Sequence, residues 1–181
     1  SSLMKLFITS NQQFGRVGAI KAYSRPFSNV NEMNEHLIKQ WNSVVSNEDT
    51  VFVLGNFAWQ PEVAEVCLSR LNGNKIHVMD GEWDKATHEL ANNDKISGIY
   101  HLTEGIRSLT YIKAALSYWP LQDWPRKKEG AISFIGHPGK SYKTDHKKHI
   151  VNVTCDRWDF KPVNAIELVK LYNDPDLSEK K

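Results

Sequence analysis

Two apolar runs in the chain stop on side-chain amides, 7-FITSNQQFG-15 and 54-LGNFA-58. Each ends at a small polar or amide residue beside a glycine, the pattern of a buried strand that delivers side chains to the carboxyl edge of a sheet. The side chains delivered, Asn11, Gln12, Gln13 and Asn56, carry no charge and transfer no protons, so the chemistry open to them is recognition by hydrogen bonds. Two other stretches hold groups with more reach. In 80-DGEWD-84 Asp80, Glu82 and Asp84 surround Trp83, and 136-GHPG-139 contains His137. Carboxylates and imidazoles can ligate a metal ion or move a proton. One reading is a single residual ion held by Asp80, Glu82, Asp84 and His137. The plainer one has Asp80 and Asp84 capping a turn while His137 bonds to backbone.

The elements that must position these residues follow from the apolar pattern. KLFIT (5–9), TVFVL (50–54) and KIHVM (75–79) read as buried strands. Between the first two, Ser28 or Asn29 can cap a helix that places Met33, Leu37, Trp41 and Val44 or Val45 on one face. Pro61 opens a second helix that runs to Leu71 and stops before Gly73. Strand followed by helix, repeated, predicts parallel βαβ units. Residues 85–97 are polar and read as a short helix or loop. AISFI (131–135) and IVNVT (150–154) read as short strands, and Asn164 with Glu167 forms a capping box that opens a last helix. A polar tail covers about 173–181. With no internal repeat or linker, the expectation is one layered α/β domain over residues 1–181.

Composition narrows the function classes. A chain of 181 residues with 40% hydrophobic and 24% charged residues suits a globular fold with a sizeable core. A net charge of +2 gives no global field toward nucleic acid or membrane. Cys67 and Cys155 form no CxxC, which argues against a zinc ribbon or a disulfide framework. No apolar span suits a membrane, and no signal peptide precedes Met4, which with Lys5 reads as a natural start after three foreign residues. A cytoplasmic protein is the default.

The order of the strand-end motifs resembles the calcineurin-like metallophosphoesterases, above all the small single-domain bacterial and phage members. The similarity runs from about Lys5 to Val163. It is carried by RPFSNVNEMNEHLIKQWNSVVSNEDTVFVLGNFA (25–58), RLNGNKIHVMDGEWD (70–84), LSYWPL (116–121), FIGHPG (134–139) and NVTCDRWDFKPV (152–163). The resemblance implies a β-sandwich flanked by helices, with two divalent metals that activate a hydroxide against a phosphate ester. Such a centre needs a bridging carboxylate with flanking carboxylates and imidazoles. This chain departs from the pattern position by position. Asn11 and Gln13 stand for the first aspartate and histidine, and Asn56 for the bridging aspartate. Glu82 stands for the metal-binding asparagine, Trp83 for the catalytic histidine and Tyr118 for the fourth motif's histidine. His137 is kept, while Gly139 replaces the second histidine of the last motif. The expectation is therefore a pseudoenzyme: no catalytic residue, no binuclear centre and no cofactor.

What such a scaffold does instead is expected to be binding. Trp83, Tyr118 and Trp119 are candidate anchors for a protein partner, since tryptophan and tyrosine dominate interface hot spots. They also suit the plainer role of filling space left by lost metals. In a phage setting, which the resemblance implies, the partner would be a host protein that the chain inhibits. Lys140, Lys143, Lys147 and Lys148, with Arg126, Lys127 and Lys128 in an earlier loop, could attract an acidic partner or a phosphate backbone. Solvated loops are the commoner meaning of such runs, so nucleic acid is the less favoured partner. The alternative to protein binding is a pocket that holds a nucleotide or other phosphate compound without cutting it. A rearranged phosphoesterase using Glu82 and His137 is the third reading. The GKS triplet at 139–141 lacks the earlier glycine of a phosphate loop, since Phe134 stands there.

Overall fold

The computed structural model describes residues 4–82, 84–100, 107–109 and 111–174. Strand β1 (Leu6–Thr9) is joined through helices α1 (Gly18–Ala22) and α2 (Val30–Val44) to β2 (Thr50–Leu54). Helix α3 (Pro61–Arg70) then leads to β3 (Lys75–Met79), and α4 (Lys85–His88) to β4 (Ile96–Tyr100). Strands β1 to β4 pair in parallel, with Ile8 opposite Phe52 and Val53 opposite Val78. The short β9 (Val163–Asn164) closes the far edge antiparallel to β1. A second sheet runs β5 (Arg107–Leu109), β6 (Ala114–Ser117), β7 (Ile132–Ile135), β8 (Ile150–Asn152), with only the β5–β6 pair antiparallel. Helix α5 (Ala165–Tyr172) follows β9.

The uninterrupted apolar runs have a physical reason: both faces of the first sheet are covered. Phe7, Val51, Val53, Ile76 and Val78 pack against α2 and α3, together with Met33, Leu37, Trp41 and Leu68. Their neighbours Leu6, Ile8, Phe52, Leu54 and Met79 face the second sheet and meet Leu116, Ile132, Phe134 and Val151. Period-two alternation therefore divides each strand between two cores. Asn29 caps α2 by accepting from Glu32 N at 2.9 Å, and Glu32 reaches back to Ser28 N at 2.9 Å. Burying a side chain such as Leu37 or Met33 contributes about 1.5–3 kcal/mol, which holds the amphipathic helix to the sheet.

The α/β layered expectation holds, with two mixed sheets and flanking helices. The helices are spread unevenly. Helices α2 and α3 cover the first sheet, and α5 packs into the core between the sheets through Tyr172. The outer face of the second sheet is covered by loop residues, chiefly Trp124 on Ala115 and Ala131. Helix α1 and strands β4, β5, β6 and β9 have no counterpart in the sequence reading. Gly98 and a polar approach hide β4, and β9 is two residues long. Cys67 and Cys155 are both free and buried. Within the described residues no helix is long and apolar enough to cross a membrane. Residues 175–181 of the expected tail lie outside the described residues.

Candidate functional site

The carboxyl ends of both sheets meet at one place. Beyond β1, Ser10 leaves the first sheet and bridges to Thr154 beyond β8. Ser10 Oγ donates to Gly136 O at 2.8 Å, and Thr154 Oγ1 donates to the same oxygen at 3.2 Å. Residues delivered by β1, β2, β3, β6 and β7 therefore share one edge. Two glycines make this approach possible. A Cβ on Gly136 would lie 2.1 Å from Leu54 O, and one on Gly81 would lie 2.6 Å from Asn56 Oδ1. Any larger residue at either position would force the strand ends apart.

Backbone pairing continues past the strands. Asn11 N donates to Gly55 O at 2.9 Å, and Gln13 N donates to Asn56 O at 2.8 Å. Asn11, Gln13 and Asn56 all adopt left-handed backbone, with φ of 68°, 55° and 48°. Asparagine tolerates this region better than most residues, which favours it here independently of any ligand. Two charged groups hold the turns. Arg25, buried, donates to Asn11 O at 2.6 Å and to Gln12 O at 2.8 Å, and grips Asp156 with two bonds of 2.9 and 2.8 Å. Asp84, also buried, accepts from the backbone N–H groups of Asn56, Phe57 and Gly81 at 2.6, 2.7 and 2.6 Å and from Thr87 Oγ1 at 2.7 Å. Burial pushes the Asp84 carboxyl up from its ordinary range, while donors from Gly81, Thr87, Phe57 and Ala58 pull it down.

Between these anchors runs a chain of side-chain hydrogen bonds. Asn11 Oδ1 accepts from Gln13 Nε2 and, at 3.3 Å, from Asn56 Nδ2. Asn56 Nδ2 also donates to Tyr118 OH at 2.9 Å, and Tyr118 OH donates to Glu82 Oε1 at 2.9 Å. His137 Nε2 lies 3.2 Å from the same Glu82 oxygen. Gly139 N donates to His137 Nδ1 at 2.9 Å, so Nδ1 is the acceptor and Nε2 carries the proton toward Glu82. Burial lowers the His137 pKa, partly offset by Glu82. Burial, reinforced by the Glu82 bond, pushes the Tyr118 phenol far up, so it stays a donor. Arg16 Nη1 donates to Gln13 Oε1 at 2.6 Å, which places a fixed cation behind the amides. Asn11 Nδ2 is buried with no hydrogen-bond partner in the structure.

The expected site residues thus fall into distinct places. Asn11, Gln13, Asn56, Glu82, Tyr118, His137 and Gly139 do come together. Trp83 lies outside the described residues. Asp84 caps the turn after β2, and Asp80 is paired with His88 at 2.9 Å. Neither turns toward His137 in these bonds; Asp84 fits the plainer reading of a turn cap, whereas Asp80 pairs with an imidazole instead of capping a turn. His137 bonds Glu82 and the Gly139 N–H, where the plainer reading had a backbone carbonyl. Tyr118 is 1% exposed and offers a partner at most its hydroxyl, whereas Trp119 is 41% exposed and lies with its ring 4.6 Å from that of His137. Sequence reasoning missed Arg16, Tyr23, Arg25, Asp156 and Arg157.

The cleft above this network has a volume of about 540 Å³ and is lined by Tyr23, Asn56, Glu82, His137, Lys140 and Arg157, among others. The residues present do not fit a two-metal centre. Among the expected ligand positions only Glu82 and His137 are groups that bind divalent ions well, and the amide oxygens of Asn11 and Gln13 are already engaged by neighbouring donors. No group of three or more histidine, cysteine or acidic side chains able to hold a metal ion occurs among the described residues. The arrangement can donate hydrogen bonds, accept them at Glu82, and attract anions at its rim.

Fold and site together define a layered α/β protein with an amide-floored polar cleft at the joined strand ends. The chain is 29% identical over 180 residues to MJ1445, an uncharacterized protein of Methanocaldococcus jannaschii, across 94% of this chain and 92% of that protein. Its fold is similar to the crystal structure of AQ665, a protein of unknown function from Aquifex aeolicus. The TM-score is 0.71 at 20% identity, covering 93% of this chain and 100% of that one. No model of a protein family matches the chain.

Proposed function

We propose that the chain is a pseudoenzyme of metallophosphoesterase-like architecture that binds a phosphate-bearing ligand, such as a nucleotide, without hydrolysing it. The observation that carries this is the cleft itself. It is roomy, the Asn56 amide and the Tyr118 hydroxyl on its floor are bonded in a chain that ends on Glu82, and Lys140 and Arg157 stand at its rim. A hydrolytic centre of the two-metal type requires anionic ligands that bridge and flank the ions. Amides that bond one another supply shape without charge. Lys140 supplies an exposed cation for phosphate, and Arg157 already spans the Gly139 and Tyr142 carbonyls at 2.8 Å each while keeping further N–H groups for an anion.

Two measurements test this reading. Calorimetric titration with Mn²⁺ or Zn²⁺ is expected to give no stoichiometric pair of tightly bound ions. Two ions bound at Asn56 and His137, or metal-dependent hydrolysis of bis-p-nitrophenyl phosphate that disappears in His137→Ala, would overturn the pseudoenzyme assignment. In a thermal-shift panel, a nucleotide at about 100 times its Kd is expected to stabilise by about 2.7 kcal/mol, or roughly 5–10 °C at this chain length. Lys140→Ala should reduce that shift. A panel of nucleoside mono-, di- and triphosphates with no shift at millimolar concentration would refute the ligand assignment.

A second reading rests on a different observation. Trp119 and Trp59 are 41% and 42% exposed, and Arg16 lies over the Trp59 ring at 5.1 Å. Exposed tryptophans, one of them against the cleft's His137, suit an anchor for a protein partner. In the phage setting that the resemblance implies, that partner is a host protein and the meeting place the cytoplasm.

A further inference from the structure

Away from the cleft, the cations of the second sheet's loops gather at two further hollows. One, of about 720 Å³, is lined by Leu121, Ile150 and the small exposed edge of the otherwise buried Trp124, together with Lys127, Lys128, Lys147 and Lys148. The other, also about 720 Å³, is lined by Trp158 with Lys140, Lys143, His146 and Arg157. The loop after β7 feeds both, since Lys143 and His146 border one hollow and Lys147 and Lys148 the other. Lys140 and Arg157 are shared with the cleft. The hollows therefore follow one another along one flank, with basic side chains at their borders.

These charges are largely uncommitted. Among the described residues no ion pair engages Lys128, Lys140, Lys143, Lys147 or Lys148. The acids close by in sequence are mostly occupied: Glu129 pairs with Arg126, Asp156 with Arg25, and Asp145 accepts from Lys148 N at 3.2 Å. Lys127 Nζ donates to Gln122 O at 2.9 Å and lies over the Trp124 ring at 4.6 Å, which leaves its outer N–H groups free to meet an anion. In a chain of net charge +2, this concentration is a local field.

The occupant must bring regularly spaced negative charge and bulky flat groups that enter apolar-lined hollows. A membrane surface is planar and would touch the lysines without filling the hollows. An acidic peptide brings charge on short side chains and leaves the apolar space beside Leu121, Ile150 and Trp158 empty. Duplex nucleic acid keeps its bases in the stack. A single strand presents phosphates to the lysines and free bases to the hollows, as basic grooves with aromatic walls require. We propose that the flank formed by the 121–130 and 140–149 loops binds single-stranded nucleic acid. The surface meets the cleft at Lys140 and Arg157, whereas Lys127, Lys128, Lys147 and Lys148 border the flank and do not line the cleft.

Fluorescence anisotropy with end-labelled 15-nucleotide oligothymidylate and oligouridylate tests this. If about five phosphates are neutralised, affinity should fall roughly 100-fold between 50 and 200 mM salt, from a slope near −0.7 per contact. Lys147→Ala/Lys148→Ala should weaken binding at 50 mM salt at least about tenfold and lower the slope by about 1.4, because two contacts are lost. Lys39→Ala/Lys75→Ala, which removes two exposed lysines from α2 and β3, should change affinity less than about twofold, since neither lies on the flank. Four results would overturn the proposal: no binding at 50 mM salt with 100 µM protein, duplex bound as tightly as single strand, equal losses in the two double variants, or displacement by polyglutamate or phosphatidylserine vesicles at matched charge. Loss of the nucleotide thermal shift with oligonucleotide binding intact would count against the cleft reading alone.

Discussion

Arg25→Met is expected to destabilise the protein by about 3–5 kcal/mol, because it leaves Asp156 without its partner in a largely buried site. For a chain of this length that lowers Tm by roughly 6–20 °C. Arg25 is fully buried as a side chain, and Asp156 is 19% exposed at its side chain. The guanidinium also satisfies the carbonyls of Asn11 and Gln12, whose strand-end turn is held in left-handed backbone at Asn11. Losing it removes two charge-assisted bonds to the carboxylate and two to the turn. The double variant Arg25→Met/Asp156→Leu should recover much of the loss, since a buried pair exchanged together is often close to neutral. Urea unfolding of the wild type and three variants measures this. A single-variant loss below about 1 kcal/mol would show that the arginine is not what holds the turn.

The second large effect is expected at Asp84. Asp84→Asn keeps the volume, removes the charge, and turns an N–H₂ group toward an arrangement made of donors. The backbone N–H groups of Asn56, Phe57 and Gly81 then compete for one carbonyl oxygen, and the loss should again be about 3–5 kcal/mol. Thr87→Val, which removes one of the donors to Asp84, should cost only about 1 kcal/mol. Hydrogen exchange separates a local role from a general one. The amides of Asn56, Phe57 and Gly81 should exchange faster in Asp84→Asn than amides of α5. Uniform acceleration across the chain would mean that Asp84 does not act on this turn. The same variant should lose the nucleotide thermal shift, since Asn56 would no longer be held in its left-handed conformation.

The two anchors explain how a strand-end site can persist without charge at its centre. The amides do not hold themselves. Asp84 gathers four backbone N–H groups, Arg25 gathers two carbonyls, and Gly81 and Gly136 let the chains approach closely enough for both. With the turns fixed from outside, Asn11, Gln13, Asn56 and Tyr118 need only find each other. Tyr118 also fills volume: its ring would be 2.6 Å from a Cβ on Gly55 and 2.9 Å from one on Gly81. Its burial fits the plainer role for that aromatic, filling the space between strand ends.

Much of the fold was legible in the sequence. The β2 and β3 boundaries, the Asn29 cap and the Asn164–Glu167 cap follow from apolar runs and capping chemistry, which are local properties. The candidate site was legible as a set of strand-end residues, because each lies just past an apolar run. Strands β4 and β9 were not legible, since one is broken by Gly98 and the other is two residues long, and both exist only because a neighbouring strand offers unpaired backbone. The basic loops could be read only as charge. Whether they form a flat solvated face or border indole-lined hollows depends on where Trp124 and Trp158 pack.

What the sequence determined by itself is therefore the layered α/β pattern and the identity of the groups at the strand ends: amides, a glutamate, a tyrosine and one histidine. Their kinds set the available chemistry before any folding is considered. Only the tertiary structure decided which of them meet. Asp84 and Glu82 are two residues apart and chemically alike, yet one is turned inward onto backbone donors and the other toward Tyr118 and His137. Arg25 and Asp156 are 131 positions apart and form one strut. Local propensity has no term for such distant pairs, because the desolvation and hydrogen-bond geometry that select them arise only when β1, β7 and β8 end at the same edge.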